Sequence, residues 1–158
     1  MATKPIPEGF NTVSSYLVVS DAAKAIEFYA KAFGAERVNH MPMPGGKGTM
    51  HAEMRLGDSR FMLTDENPQW GTRSPKSLGG TPVSMHIYTR DADAMFKRAV
   101  GAGCEVQMPP TDMFWGDRYA KVADPFGHVW GIATHVEDVP DAELGKRAKK
   151  WFADMAGQ

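Results

Sequence analysis

VSSYLVVSD at residues 13–21 returns as VSMHIYTRD at residues 83–91, an offset of 70 positions. Val13 matches Val83, Ser14 matches Ser84, Leu17 matches Ile87 and Asp21 matches Asp91, while Tyr16 falls on His86. Both copies read as strands, and in the first Val13, Ser15, Leu17 and Val19 alternate with Ser14, Tyr16 and Val18 over a strand at 12–20. Asp21 stands where a helix N-cap belongs, because its short carboxylate accepts from the first free backbone N–H groups. Residues 22–33, AAKAIEFYAKAF, put Ala22, Ile26, Tyr29 and Phe33 on one helical face, and Gly34 is the stop. The second copy runs a helix over about residues 92–100 and stops at Gly101 or Gly103.

Outward from these stretches the halves continue in the same order. In the first, a Pro/Gly-rich loop at 41–48 leads to a strand at 49–56, a Gly57-Asp58 turn and a strand at 60–65. In the second, a loop with Pro109 and Pro110 leads to a strand at 118–123, the turn Asp124-Pro125-Phe126-Gly127, and a strand at 129–134. Identity between the halves is low, so chance likeness of two strand–helix units is the alternative; the shared order favours duplication. Glu66–Pro82 is rich in Pro and Gly and reads as a linker. At the tail, Asp138 or Asp141 is placed to cap a helix. Leu144, Ala148, Trp151, Phe152 and Met155 share its apolar face, with Lys146, Arg147, Lys149 and Lys150 away from it. That face packs on the domain or on a partner subunit.

Composition bounds the function. The 158 residues are 42% hydrophobic and 23% charged, as in ordinary globular domains. Lys+Arg is 18 and Asp+Glu is 19, a net charge of -1 without a basic cluster, which argues against nucleic-acid and anionic-membrane partners. No apolar run approaches the roughly 20 residues of a membrane span. MATKPIPEGF has no signal-peptide core. Cys104 alone excludes an internal disulfide and a multi-cysteine metal cage. The expected location is the cytoplasm.

Chemistry is expected on the strand faces turned away from the helices. Ser14, Tyr16 and Val18 share one such face, Ser84, His86 and Tyr88 another, and His51, Glu53 and Arg55 a third. A sheet with one face covered and the other mixed polar and aromatic is a ligand-holding surface, a solvated face or an interface. His51, Glu53 and His86 are a possible metal set, or a hydrogen-bonding cluster, or His86 is an acid–base group. Nucleophile elbow, phosphate-binding glycine loop and HExxH motif are all missing. TDMFWGDRY at 111–119 offers Phe114 and Trp115 as a stacking wall over an apolar ligand, or as core anchors.

Three stretches carry a resemblance: YLVVSDAAKAIEFYAKAFGAE at 16–36, MHAEMRLGDSRFMLTDE at 50–66 and DMFWGDRYAKVADPFGHVWGIATH at 112–135. They resemble the vicinal oxygen chelate superfamily, of glyoxalase/bleomycin-resistance/dioxygenase type, and within it the PhnB-like branch. The resemblance implies an α+β fold of two paired βαβββ modules whose sheets curve around a cavity, and a homodimer. One domain would span 10–138, with module one at about 10–66, a linker at 67–81 and module two at 82–138. A C-terminal amphipathic helix would follow at 139–158. Metal-dependent relatives place ligands at positions that fall here on Ser14, Met62, Ser84 and Gly131, none a normal ligand. The implied function is therefore small-molecule binding without the usual divalent metal. Tyr16, Glu53, His86, Tyr88, Phe114 and Trp115 would line the site. The alternative is a metal-dependent lyase, isomerase or dioxygenase with a rearranged site of His51, Glu53 and His86. The residues leave binding and catalysis both open.

Overall fold

Asp21 and Asp91 do as their positions demand. Each is extended, and each side chain accepts from the N–H three residues on, that of Lys24 and of Ala94. A computed structural model describes residues 3–156; Met1, Ala2, Gly157 and Gln158, the last two in the expected tail helix, lie outside the described residues. Module one runs β1 (Tyr16–Val19), α1 (Ala22–Phe33), β2 (Glu36–Pro42), β3 (Thr49–Leu56) and β4 (Ser59–Asp65). A 3₁₀ turn (Pro68–Trp70) and α2 (Pro75–Leu78) occupy the linker. Module two repeats the order as β5 (Ser84–Tyr88), α3 (Ala92–Ala102), β6 (Glu105–Asp112), β7 (Asp117–Ala123) and β8 (Val129–His135), and α4 (Asp141–Ala156) closes the chain.

The two four-stranded sheets have equivalent orders, β1-β4-β3-β2 and β5-β8-β7-β6. In each, the first strand pairs parallel with the last, a pairing that needs a crossover, supplied by α1 or α3. The helix starts are tied alike: Ala22 N–H donates to Asp65 at the end of β4, and Ala92 N–H to Thr134 in β8. This matched pair of βαβββ units is the α+β architecture that the resemblance implied.

The outer strands correct the sequence reading. Residues 41–42 and 109–110 were expected in loops, yet they belong to β2 and β6. Every residue of β2 is exposed, so no burial periodicity marks it. Pro42, Pro109 and Pro110 look like breakers, but a sheet-edge strand tolerates proline because one row of its N–H groups lacks a ladder partner. Register shifts in both outer strands blur the alternation further. At the tail, neither candidate cap plays that part: Asp141 is the first helical residue, and Asp138 pairs with His135.

One apolar core joins the modules. Leu17, Val19, Met54, Phe61 and Leu63 lie on the helix side of the first sheet, with Ile26, Tyr29 and Phe33 of α1 in the same cluster. Trp130 of β8 enters that cluster, with ring centroids 4.7 Å from Phe33 and 5.3 Å from Tyr29. Beneath them Asp124, buried in the β7–β8 turn, accepts from Tyr29 Oη and Trp130 Nε1, both at 2.8 Å, and from the N–H groups of Phe126 and His128. His128 in turn bonds the Val18 carbonyl through Nε2 at 2.9 Å. Burial, together with the Asp124 charge, pushes the Cys104 thiol up to about 12, so it is no nucleophile at neutral pH. Among the described residues no helix is long and apolar enough to cross a membrane.

Candidate functional site

The helix-free face of module two is built by strict alternation. Ala120, Val122 and Ile132 point to the core, so Asp117, Tyr119, Lys121, Gly131 and Ala133 point away. Gly131 pairs with His86 on one side and Lys121 on the other, and Ala133 pairs with Tyr88 and Tyr119. The central strand thus presents only small residues, flanked by larger ones: a trough. Gly131 is required by space. A Cβ there would stand 2.8 Å from the Tyr119 ring and 3.1 Å from His86 Nδ1. Without it, the His86 and Tyr119 rings lie 5.8 Å apart and nearly parallel, with an interplanar angle of 12°. Tyr88 adjoins His86 at 4.7 Å, and Trp115 adjoins Tyr119 at 6.1 Å.

Asp117 fixes the end of this row. It is 3% exposed and accepts from Tyr88 Oη at 3.1 Å and Trp115 Nε1 at 3.0 Å, while His135 Nδ1 lies 2.8 Å from its other oxygen. Burial alone would raise its pKa, but the three donors outweigh it and hold the carboxyl below its usual value. His135 Nε2 meets Asp138 at 2.9 Å, and the two carboxylates, Asp138 first, raise the imidazole's pKa. The bond to Asp117 also raises Tyr88, and burial raises Tyr119, so both phenols are neutral donors or acceptors.

Module one carries a separate polar group. Tyr16 Oη lies 3.1 Å from His51 Nδ1, His51 Nε2 3.5 Å from Glu53, and Glu53 3.4 Å from Arg60 Nη1. Arg60 Nε is buried without a partner, and its guanidinium lies 5.3 Å from the centre of the Phe10 ring. The expected ligand-binding residues are therefore divided. His86, Tyr88 and Trp115 share the trough; Tyr16 and Glu53 belong to the first sheet. A cleft of about 680 Å³ between the modules is lined by Ser14, Arg60, Phe61, His86, Tyr88 and Trp130; of the trough residues it takes only His86 and Tyr88, not Tyr119, Lys121 or Trp115. A second cavity of about 310 Å³ takes Tyr16 and Val18. Neither cavity contains both Tyr16 and His86.

Phe114 lies edge-on to Trp115 at 4.9 Å and also reaches the tail helix. It packs against Trp151 at 5.7 Å and Phe152 at 6.2 Å, and so seats α4. The sequence reading missed Asp117, Tyr119, Lys121 and His135. Alternation along 117–123 was the available signal for the first three; His135 lay one residue beyond the expected end of its strand.

The metal positions implied by the resemblance do not fit a cation. Met62 pairs with Tyr16 and Gly131 with His86, so they offer a thioether and no side chain at all. Ser14 precedes β1, and Ser84 opens β5. Among the described residues no three of His, Cys, Asp and Glu gather as a metal group, and His51, Glu53 and His86 do not converge.

A pair of βαβββ modules, each with a helix on one sheet face and an open polar–aromatic face opposite, defines the class: a two-module α+β protein with its chemistry on the open faces. The chain belongs to the Glyoxalase/Bleomycin resistance protein/Dioxygenase superfamily, whose family model matches residues 9–132. Mycobacterium tuberculosis Rv0887c is 48% identical over 135 residues, covering 84% of this chain and 79% of that protein. The X-ray structure of the Arabidopsis thaliana At5g48480 product has a TM-score of 0.63 at 29% identity, covering 78% of this chain and 98% of that one. The anthracycline biosynthesis protein DnrV of Streptomyces peucetius is 32% identical over 116 residues, 71% of this chain but 42% of DnrV.

Proposed function

We propose that this is a cytoplasmic small-molecule-binding protein of the glyoxalase/bleomycin-resistance type, in the PhnB-like branch, that works without the superfamily's divalent metal. Its ligand is aromatic or amphipathic and lies in the module-two trough. One observation carries this reading: four rings, Tyr88, His86, Tyr119 and Trp115, stand in a row over a strand stripped to Gly131 and Ala133. Ring faces in a row offer stacking area, and the small residues beneath let the His86 and Tyr119 rings lie close over the strand. The buried Asp117 orients two of those rings before any ligand arrives, which lowers the ordering cost of binding. Supporting the metal-free part are the poor donors at positions 14, 62, 84 and 131.

A crystal grown without chelator tests the proposal. Organic density against Tyr119 and Trp115 is expected. Elemental analysis that finds about one metal per chain, lost in His51→Ala or His86→Ala, overturns it and favours the metal-dependent lyase, isomerase or dioxygenase. The proposal includes a homodimer, since each sheet leaves one face open: Tyr16 is 50% exposed and Tyr88 65%.

A further inference from the structure

We infer that the ligand of the module-two trough is an anion, an aromatic body carrying a carboxylate, sulfonate or ionised hydroxyl, and that Lys121 is the residue that selects it. The inference rests on the trough being the binding site. Lys121 sits in register with Gly131 and, across it, His86, so its side chain rises from the trough wall opposite His86. It is half-buried there, yet among the described residues it makes no ion pair. Arg118, the neighbouring cation on β7, points to the other face and is held by Asp93 and Asp112.

The acids that could neutralise Lys121 are otherwise disposed. Asp117 shares its face but is occupied by three donors at the far end of the row. Glu105, opposite Ala123, is on that face too and forms no ion pair with Lys121. An unpaired ammonium beside a row of aromatic rings fits a ligand that brings its own negative charge. The aromatic body would lie on the outward faces of the His86 and Tyr119 rings that cover Gly131, and the anionic oxygen would meet the ammonium. Partial burial strengthens that bond over one in open water.

Two dyes of nearly the same shape test the inference: 1-anilinonaphthalene-8-sulfonate, an anion, and N-phenyl-1-naphthylamine, its uncharged counterpart. Their binding is followed by fluorescence in the intact protein. The sulfonate dye is expected to bind about tenfold tighter, the order that one charge-assisted hydrogen bond supplies. Lys121→Met should remove that advantage while leaving the neutral dye within about twofold, and Lys121→Arg should restore most of it. Added salt should weaken the sulfonate dye alone. Tyr119→Leu should weaken both dyes. If Tyr119→Leu weakens both but Lys121→Met leaves their ratio unchanged, the anion inference is wrong and the trough stands. If Tyr119→Leu affects neither dye, the trough itself is not the site and the inference falls with it.

Discussion

Asp117 accepts from three side chains at once, and so decides how Tyr88 and Trp115 stand beside the trough. Asp117→Ala would leave those donors without their acceptor, at a cost of about 1–3 kcal/mol. Chemical denaturation should show that loss, together with a changed Trp115 emission. Gly131 gives the complementary case. Its backbone needs no left-handed conformation, but Gly131→Val puts side-chain carbons where the Tyr119 and His86 rings lie, so it should push those rings out of their row and abolish binding of the naphthylamine dyes. Unaltered dye binding in a folded Gly131→Val protein would move the site elsewhere. Trp115→Phe keeps a ring but loses the indole N–H and area, and should weaken binding by roughly 0.5–1.5 kcal/mol. His86→Ala should cost about 1–3 kcal/mol where a buried ligand group is left unpaired.

The β6–β7 turn and the segment leading into α4 behave as one element. Val136 and Glu137 N–H both donate to the Gly116 carbonyl, and Glu137 pairs with Arg147 of α4. Gly116 has φ +97°, and a Cβ there would stand 2.0 Å from the Glu137 carbonyl oxygen. Gly116→Ala should therefore cost more than the about 1–2 kcal/mol of left-handed backbone alone, and should free the tail. Backbone amide exchange over residues 136–139 would show it. His135 makes the same junction pH-dependent. It bonds Asp117 and Asp138 together only as an imidazolium, since neutral imidazole has a single N–H. Its folded pKa is raised above 6.5, so this contribution is complete below 6.5 and is lost as pH rises through the folded value. Asp117 is lowered below 3.8, so its contribution is complete above 3.8 and is lost as pH falls through its folded value. Amide protection at 136–139, the exchange rate relative to that of the unfolded chain at the same pH, should be greatest between these limits and fall on the alkaline side. In His135→Gln that alkaline fall in protection should vanish.

For the whole molecule, Asp124 is the joint between modules. Asp124→Ala would strand two side-chain and two backbone donors in the core, and a loss of about 3 kcal/mol or more is expected. Tyr29→Phe removes one donor of the four and should cost about 1–3 kcal/mol. A single cooperative thermal transition should persist in Tyr29→Phe, because the aromatic core still spans both modules. The open sheet faces make the dimer expectation a quantitative one. Light scattering should return twice the chain mass of 17.3 kDa at micromolar concentration, and a monomer there would remove the homodimer from the proposal.

The sequence by itself determined the duplicated plan, the caps at Asp21 and Asp91, the buried face of α1 and the polar–aromatic faces of β1, β3 and β5. These follow from local periodicity and capping chemistry, which act within a few residues. It did not reveal β2 and β6, because β2 is exposed throughout, β6 is mostly exposed, and edge strands of that kind with proline in them carry no clear burial period. Only the tertiary structure decided which site residues meet. Cross-strand register placed His86 and Lys121 on either side of Gly131, and put Tyr16 and Glu53 in a different group. Phe114 and Trp115 stay in contact at 4.9 Å, yet one also seats α4 while the other bonds Asp117. Register depends on strand pairing between residues distant in the chain, and that pairing exists only once the sheets have formed.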